Sequence, residues 1–149
     1  MMRKRIISGI IVLMMIVSLA ACSVDEKQSS SENKKEAIVQ TKRHLTAVES
    51  NQLIQKNLLN PDFIIVDIRT PREYKSSRIA KSINIDFYDR NFSSNLAKLD
   101  NTKSYIFYCR SGNRTGQAEK IIRTLGLKQY YILSRGINDW YSNKFELIN

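Results

Sequence analysis

At 149 residues and a net charge of +10, the chain is a small basic protein with two cysteines and a single histidine. Those three side chains leave no zinc set. A positive balance suits nucleic acid, anionic lipid or small anions, but the aromatics fall mostly inside apolar runs rather than alternating with basic residues on one face, which argues against nucleic acid.

Arg3, Lys4 and Arg5 open the chain, residues 6–20 are almost wholly apolar, and Leu19-Ala20-Ala21-Cys22 follows at once. Basic, then apolar, then small residues is the plan of a secretory signal. The apolar run is shorter than the ~20 residues a spanning helix needs. Leu19 to Cys22 resembles the bacterial lipobox, whose cysteine sulfur takes a diacylglycerol and becomes the new N-terminus after cleavage. An ordinary signal peptide with an incidental cysteine and an uncleaved anchor are the alternatives. On the lipobox reading, residues 1–21 are a lipoprotein signal peptide and Cys22 is the lipidation site. The protein then sits on the extracytoplasmic face of the bacterial cell envelope, lipid-anchored to a membrane. Residues 22–40, rich in Ser, Glu, Lys, Asn and Gln, read as a flexible polar tether. Without Arg3, Lys4 and Arg5, 21 basic residues face 14 acidic ones, a net +7 compatible with an anionic membrane nearby.

Residues 41–149 have the size of one domain with one core, and no internal repeat is visible. Thr46-Ala47-Val48-Glu49 reads as a capping box opening a helix with Leu53 and Ile54. Asn60-Pro61-Asp62 is a turn, and residues 63–66 form an apolar run fit for a strand buried on both faces. Pro71 suits the first turn of a short helix through Tyr74. A short strand over 83–85 follows, then a helix over 91–99 carrying Phe92, Leu96 and Leu99. Residues 105–108 are aromatic and β-branched, as buried strands are. From Thr115, Ala118, Ile121, Ile122 and Leu125 recur at helical spacing until Gly126. A strand over 130–133 and a helix around 137–141 complete the chain. Alternation of strands with helices predicts an α/β fold, a mostly parallel central sheet with helices on both faces.

Cys109-Arg110-Ser111-Gly112-Asn113-Arg114 lies where a predicted strand feeds a helix, at the sheet edge where open α/β folds bind ligands. Loop N–H groups and the positive helix end would face the sulfur, and Arg110 and Arg114 add fixed charge. Each effect favours thiolate over thiol, so Cys109 reads as an activated nucleophile. The bland reading is an inert core cysteine. His44 lies at the domain edge, which argues against a Cys–His protease pair. With Cys22 capped, Cys109 has no disulfide partner, and a lone thiol in an exported protein suggests a reactive role.

Cys109 to Thr115 resembles the active loop of the rhodanese family of sulfurtransferases, Cys-Arg-x-Gly-x-Arg followed by Ser or Thr, at every specified position. Upstream, Val66 to Tyr74 looks like the family's Asp-x-Arg-x-x-x-Glu-Tyr segment, and Ile79 and Ile83-Asn84-Ile85 look like its Ile and Asn-Ile. Downstream, Leu133 to Trp140 is similar to Leu-x-Gly-Gly-x-x-x-Trp. Ser77-Arg78 replaces the family's common Gly-His, Lys81-Ser82 its Gly-Ala, and Arg135 the first glycine of its pair. The resemblance implies a single rhodanese-like domain with Cys109 catalytic and Arg110, Ser111, Gly112, Asn113, Arg114 and Thr115 binding substrate. Cys109 would take sulfane sulfur from thiosulfate or a persulfide and pass it to a thiol, cyanide or a protein thiol. No cofactor or metal is implied, and a monomer is expected.

Asp67, ending a strand on the same edge as Cys109, either helps order the loop or forms an Asx turn. Glu73 reads as a surface helix residue and Trp140 as core. Arg135 either adds a cation near the loop mouth or is a solvated arginine without a role. A phosphatase or arsenate reductase would resemble its relatives in having five residues between Cys and Arg, whereas this loop has four, a smaller cradle suited to sulfur. A sulfur carrier that does not turn over, or a membrane-tethered binding module on the same scaffold, is the alternative to an enzyme.

Overall fold

The structure, a computed structural model, describes residues 43–149. The predicted signal peptide, the tether and Cys22 lie outside the described residues. Five strands, β1 (Arg43–Leu45), β2 (Phe63–Asp67), β3 (Ser82–Asn84), β4 (Ser104–Tyr108) and β5 (Gln129–Leu133), form one sheet in the order β1-β5-β4-β2-β3. Every adjacent pair is parallel. Between them run α1 (Ala47–Lys56), α2 (Pro71–Ser76), α3 (Phe92–Leu96) and α4 (Asn113–Thr124), and α5 (Gly136–Ser142) follows the last strand.

Period-2 alternation divides the side chains of β2, β4 and β5 between two cores. Val66, Tyr105, Phe107, Tyr130 and Ile132 pack beneath α3 and α4 with Phe92, Leu96, Ala118 and Ile122. Ile65, Ile106, Tyr108 and Leu133 face the other way, toward α1 and α5, and meet Ile54, Ile137 and Trp140. Each aliphatic side chain buried in this way contributes about 1.5–3 kcal/mol. The Thr46 capping box forms in full, and Asp139 of α5 accepts the Ala47 amide at 3.0 Å, joining the two helices on that face.

Three local expectations change. The helix predicted over 91–99 is α-helical only for Phe92–Leu96; Asn91 supplies no side-chain cap, and Lys98 and Leu99 tighten into bonds to the carbonyls three residues back. The strand predicted over 83–85 shifts to Ser82–Asn84, because on this sheet edge Ile83 faces solvent and Ser82 is the buried residue. Strand β1 carried no sequence signal. Three residues are too few for a pattern, and β1 exists by pairing with β5.

Just past β2 lies a buried ion pair. Asp67 is fully buried and Arg69 nearly so. The Arg69 guanidinium reaches both Asp67 oxygens at 2.6–3.0 Å and also donates to Ser77 O at 2.6 Å. Asn84 Nδ2 donates to the carbonyls of Asp67 and Arg69, tying β3 to the same turn. Nearby, burial pushes the Tyr108 phenol well above its usual range. Its oxygen accepts the Ile79 amide and lies 3.2 Å from Ser82 Oγ, so the α2–β3 segment hangs on the residue before Cys109. Removing one partner of a buried pair leaves an uncompensated charge. Arg69→Met is therefore expected to cost about 3–5 kcal/mol of unfolding free energy, measured by urea denaturation; a loss below 1 kcal/mol would contradict it.

Candidate active site

Cys109 follows β4 directly and is buried in the α3–α4 core. The next three residues turn sharply into α4. Gly112 has φ +93°, and a Cβ there would lie 1.8 Å from Ser134 O. Gly136 has φ +61°, and a Cβ there would lie 2.3 Å from Cys109 O. Both positions therefore demand glycine, for conformation and for space. Contact this close lets the head of α5 hold the loop: Ile137 N–H donates to Cys109 O at 2.8 Å and Asn138 N–H to Arg110 O at 3.1 Å.

One peptide further along the same loop, the Gly112 amide donates to Cys109 Sγ at 3.2 Å. Thr115, fully buried, places Oγ1 3.7 Å from Sγ and donates to Gly112 O at 2.9 Å. The amides of Asn113, Arg114 and Thr115 open α4 and have no carbonyl acceptor within their own helix. The positive end of a twelve-residue helix thus stands beside the sulfur. This arrangement stabilises negative charge on sulfur or on an atom attached to it.

The sequence model of the rhodanese-like domain family matches residues 49–143. The chain belongs to this family. It is 32% identical to thiosulfate:glutathione sulfurtransferase of Saccharomyces cerevisiae over 95 residues, 56% of this chain and 68% of that protein. It is 27% identical over 93 residues to a sulfurtransferase of Allochromatium vinosum, 62% of this chain and 85% of that one. Among solved structures it is similar to a rhodanese-related protein of Thermoplasma volcanium, with a TM-score of 0.58 and 25% identity over 71% of this chain and 97% of that one.

Around the rhodanese-like loop the arginines play unequal parts. Arg114 is held by Glu73 in a two-pronged pair, at 2.7 and 2.8 Å, and its guanidinium lies 5.7 Å from the Tyr88 ring centre. Glu73 lies on a helix and is partly exposed, as its sequence position predicts, and its carboxylate is committed to this pair. Thr70 and Glu73 form a second capping box, so one carboxylate caps α2 and fastens α4 across 41 residues of sequence. Arg110 is exposed and its side chain has no bonded partner among the described residues. It stands between two clefts, one of about 530 Å³ bounded by Arg72, Tyr88 and Ser111 and one of about 470 Å³ bounded by Ser77, Asn138 and Tyr141.

Asp67 does lie on the Cys109 edge, opposite Tyr108. Both its oxygens are committed to Arg69, one of them also accepting the Arg69 amide at 2.8 Å. It shapes its own turn by accepting the Arg69 amide. Arg135 is exposed, with its Cα 3.7 Å from where a Gly112 Cβ would stand, which places its backbone against the loop. Its φ of −105° needs no glycine. By contrast Lys81 takes the left-handed backbone at φ +62°.

The Arg114 guanidinium, followed by the Thr70 contacts, holds the Glu73 carboxyl down at about 2 against its usual 4.5. The pair's stabilisation is therefore complete above about 4.5 and is lost as pH falls toward about 2. Glu73→Gln should be less stable than wild type near neutrality, with the gap closing through that acid window. Denaturant unfolding at several pH values measures this; a gap independent of pH would refute it.

Proposed function

We propose that the protein is a sulfurtransferase that carries sulfane sulfur as a Cys109 persulfide, with thiosulfate or a low-molecular-weight persulfide as donor. The Gly112 amide on Cys109 Sγ at the head of α4 is the observation that carries this reading. In the first half-reaction the Cys109 thiolate attacks the outer sulfur of thiosulfate. An S–S bond forms at Cys109, the donor's S–S bond breaks, and sulfite leaves with the electron pair. In the second, an acceptor thiolate attacks the terminal persulfide sulfur, takes it, and returns Cys109 as thiolate. Negative charge rests on the terminal sulfur between these steps, where loop amides and the helix dipole stabilise it.

Arg110 supports anion capture because its charge is uncommitted, whereas Arg114 is neutralised by Glu73 and serves to fix the loop. Arg135 adds a second exposed cation at the mouth. The relatives named as sulfurtransferases support the reaction class. The four-residue spacing between Cys109 and Arg114 supports sulfur over a phosphoryl group.

Location completes the reading: the chain is exported and anchored through a diacylglyceryl group on Cys22, as residues 3–22 suggest. Cys22→Ala is expected to lose the lipid mass and the processing at this site. Unchanged mass and membrane retention would refute the anchor.

Incubated with thiosulfate, the protein should gain one sulfur atom by intact mass, removable by dithiothreitol and absent in Cys109→Ser. No adduct with thiosulfate or with any persulfide donor refutes the assignment. Turnover with small thiols or cyanide marks an enzyme, while single loading without turnover marks a carrier. In the same assay Arg135→Gly should slow loading by doubly charged thiosulfate by up to about fivefold, the most an exposed charge usually contributes. Added salt should erase the difference, and an equal effect on a less charged persulfide would remove Arg135 from donor binding.

A further inference from the structure

The edge of the sheet opposite Cys109, where the parallel strands begin, carries a surface that the sulfur chemistry does not use. Leu58 and Leu59, between α1 and β2, are 44% and 91% exposed. They border a groove of about 910 Å³ that also meets Ile54, Phe63, Trp140 and Phe145. Lys81 and Lys144 line the same groove.

Among the described residues these two lysines are the non-glycine positions with positive φ, +62° and +57°. A backbone of that kind favours glycine, so each lysine is carried at a conformational cost. Lys81 Nζ donates to Leu58 O at 2.8 Å, which sets its ammonium beside the exposed leucines. Lys56 ends α1 a few residues away. Of the acids on this edge, Asp62 pairs with Lys103 at 3.8 Å, Asp100 accepts from Thr102 in the turn before β4, and Glu146 is the one in the groove lining.

The described chain also begins here. β1 runs parallel to β5, so Arg43 lies at the strand-start edge and Leu45 toward the Cys109 edge. The sequence upstream of Arg43 contains the apolar run 6–20 and Cys22.

We propose that this edge, with Leu58 and Leu59 at its tip and Lys56, Lys81 and Lys144 around them, rests on an anionic membrane surface. The proposal builds on the anchoring reading above. The leucines enter the headgroup boundary and the lysines meet lipid phosphates, as apolar residues flanked by cations do at an interface. Docked in this way, the domain turns the Cys109 mouth away from the lipid, and donor and acceptor reach it from the aqueous side.

The full chain, purified from bacterial membranes and reconstituted in vesicles with brominated acyl chains, tests the orientation. Leu59→Trp reports depth by fluorescence quenching, Tyr88→Trp at the Cys109 cleft is the control, and the buried Trp140 of wild type gives the background. In phosphatidylglycerol vesicles Leu59→Trp should be quenched and Tyr88→Trp should not, with the contrast weakened in pure phosphatidylcholine. Lys81→Gly and Lys144→Gly, which suit the left-handed backbone, should each lower the ratio of docked to undocked protein about fivefold. Equal quenching at the two tryptophans, or an unquenched Leu59→Trp in a chain that floats with the vesicles, overturns the docking face while leaving the anchor intact. A chain that does not float overturns the anchor and the face with it.

Discussion

The amides of Ile137 and Asn138 hold the carbonyls of Cys109 and Arg110, and much else in the molecule follows from that grip. A peptide whose carbonyl is turned one way presents its amide the other way. Fixing the oxygens toward α5 therefore turns the N–H groups of Arg110 and Ser111 the other way, and the next amide, of Gly112, is on the sulfur. The grip requires the β5–α5 turn to touch the loop backbone, and a side chain at either Gly112 or Gly136 would occupy that space. Sheet order supplies the rest: β5 neighbours β4, so the turn after β5 falls beside the residue after β4.

Electrostatic support for the sulfur comes in a neutral frame with the uncommitted Arg110 beside it. Arg114 and Glu73 cancel each other and exchange net charge for position, since a two-pronged pair fixes both planes. Arg69 and Asp67 do the same deeper in the fold, where an unpaired charge is costly. Arg110, between its two clefts, keeps its charge available. An anion there would meet backbone amides fixed in advance and an exposed guanidinium at the rim, a division that limits reorganisation as charge develops.

A parallel sheet gives the domain two chemically different ends. Arginines gather where the strands finish, at Arg72, Arg110 and Arg135, and lysines with two exposed leucines gather where the strands begin. Because every strand runs the same way, the entry of the chain at Arg43 and the nucleophile at Cys109 fall on opposite ends. Parallel topology thus sets Arg43 and the site of chemistry at opposite ends of the sheet.

Local patterns made most of the architecture readable. The capping box at Thr46, Pro71 in the first turn of α2, the apolar runs of β2, β4 and β5 and the glycine after α4 act over a few residues, so the sequence by itself determined the order of elements and the place of Cys109 between strand and helix. Weak local signals failed where neighbours decide: β1 exists through β5, β3 slips by one residue on an open edge, and α3 shortens where serines and asparagine replace strong helix formers. In the site, the nucleophile and its loop were legible because they are contiguous. The partner of Arg114 was not, because Glu73 lies 41 residues away and meets it only once β2 and β4 are paired. The sequence leaves two roles open for Asp67, since its claim by Arg69 depends on a turn closed by Asn84 from the next strand. Sequence determined which group can react. Tertiary structure alone decided which charges cancel and which face outward, because pairing between distant segments is fixed by sheet order and not by any local pattern.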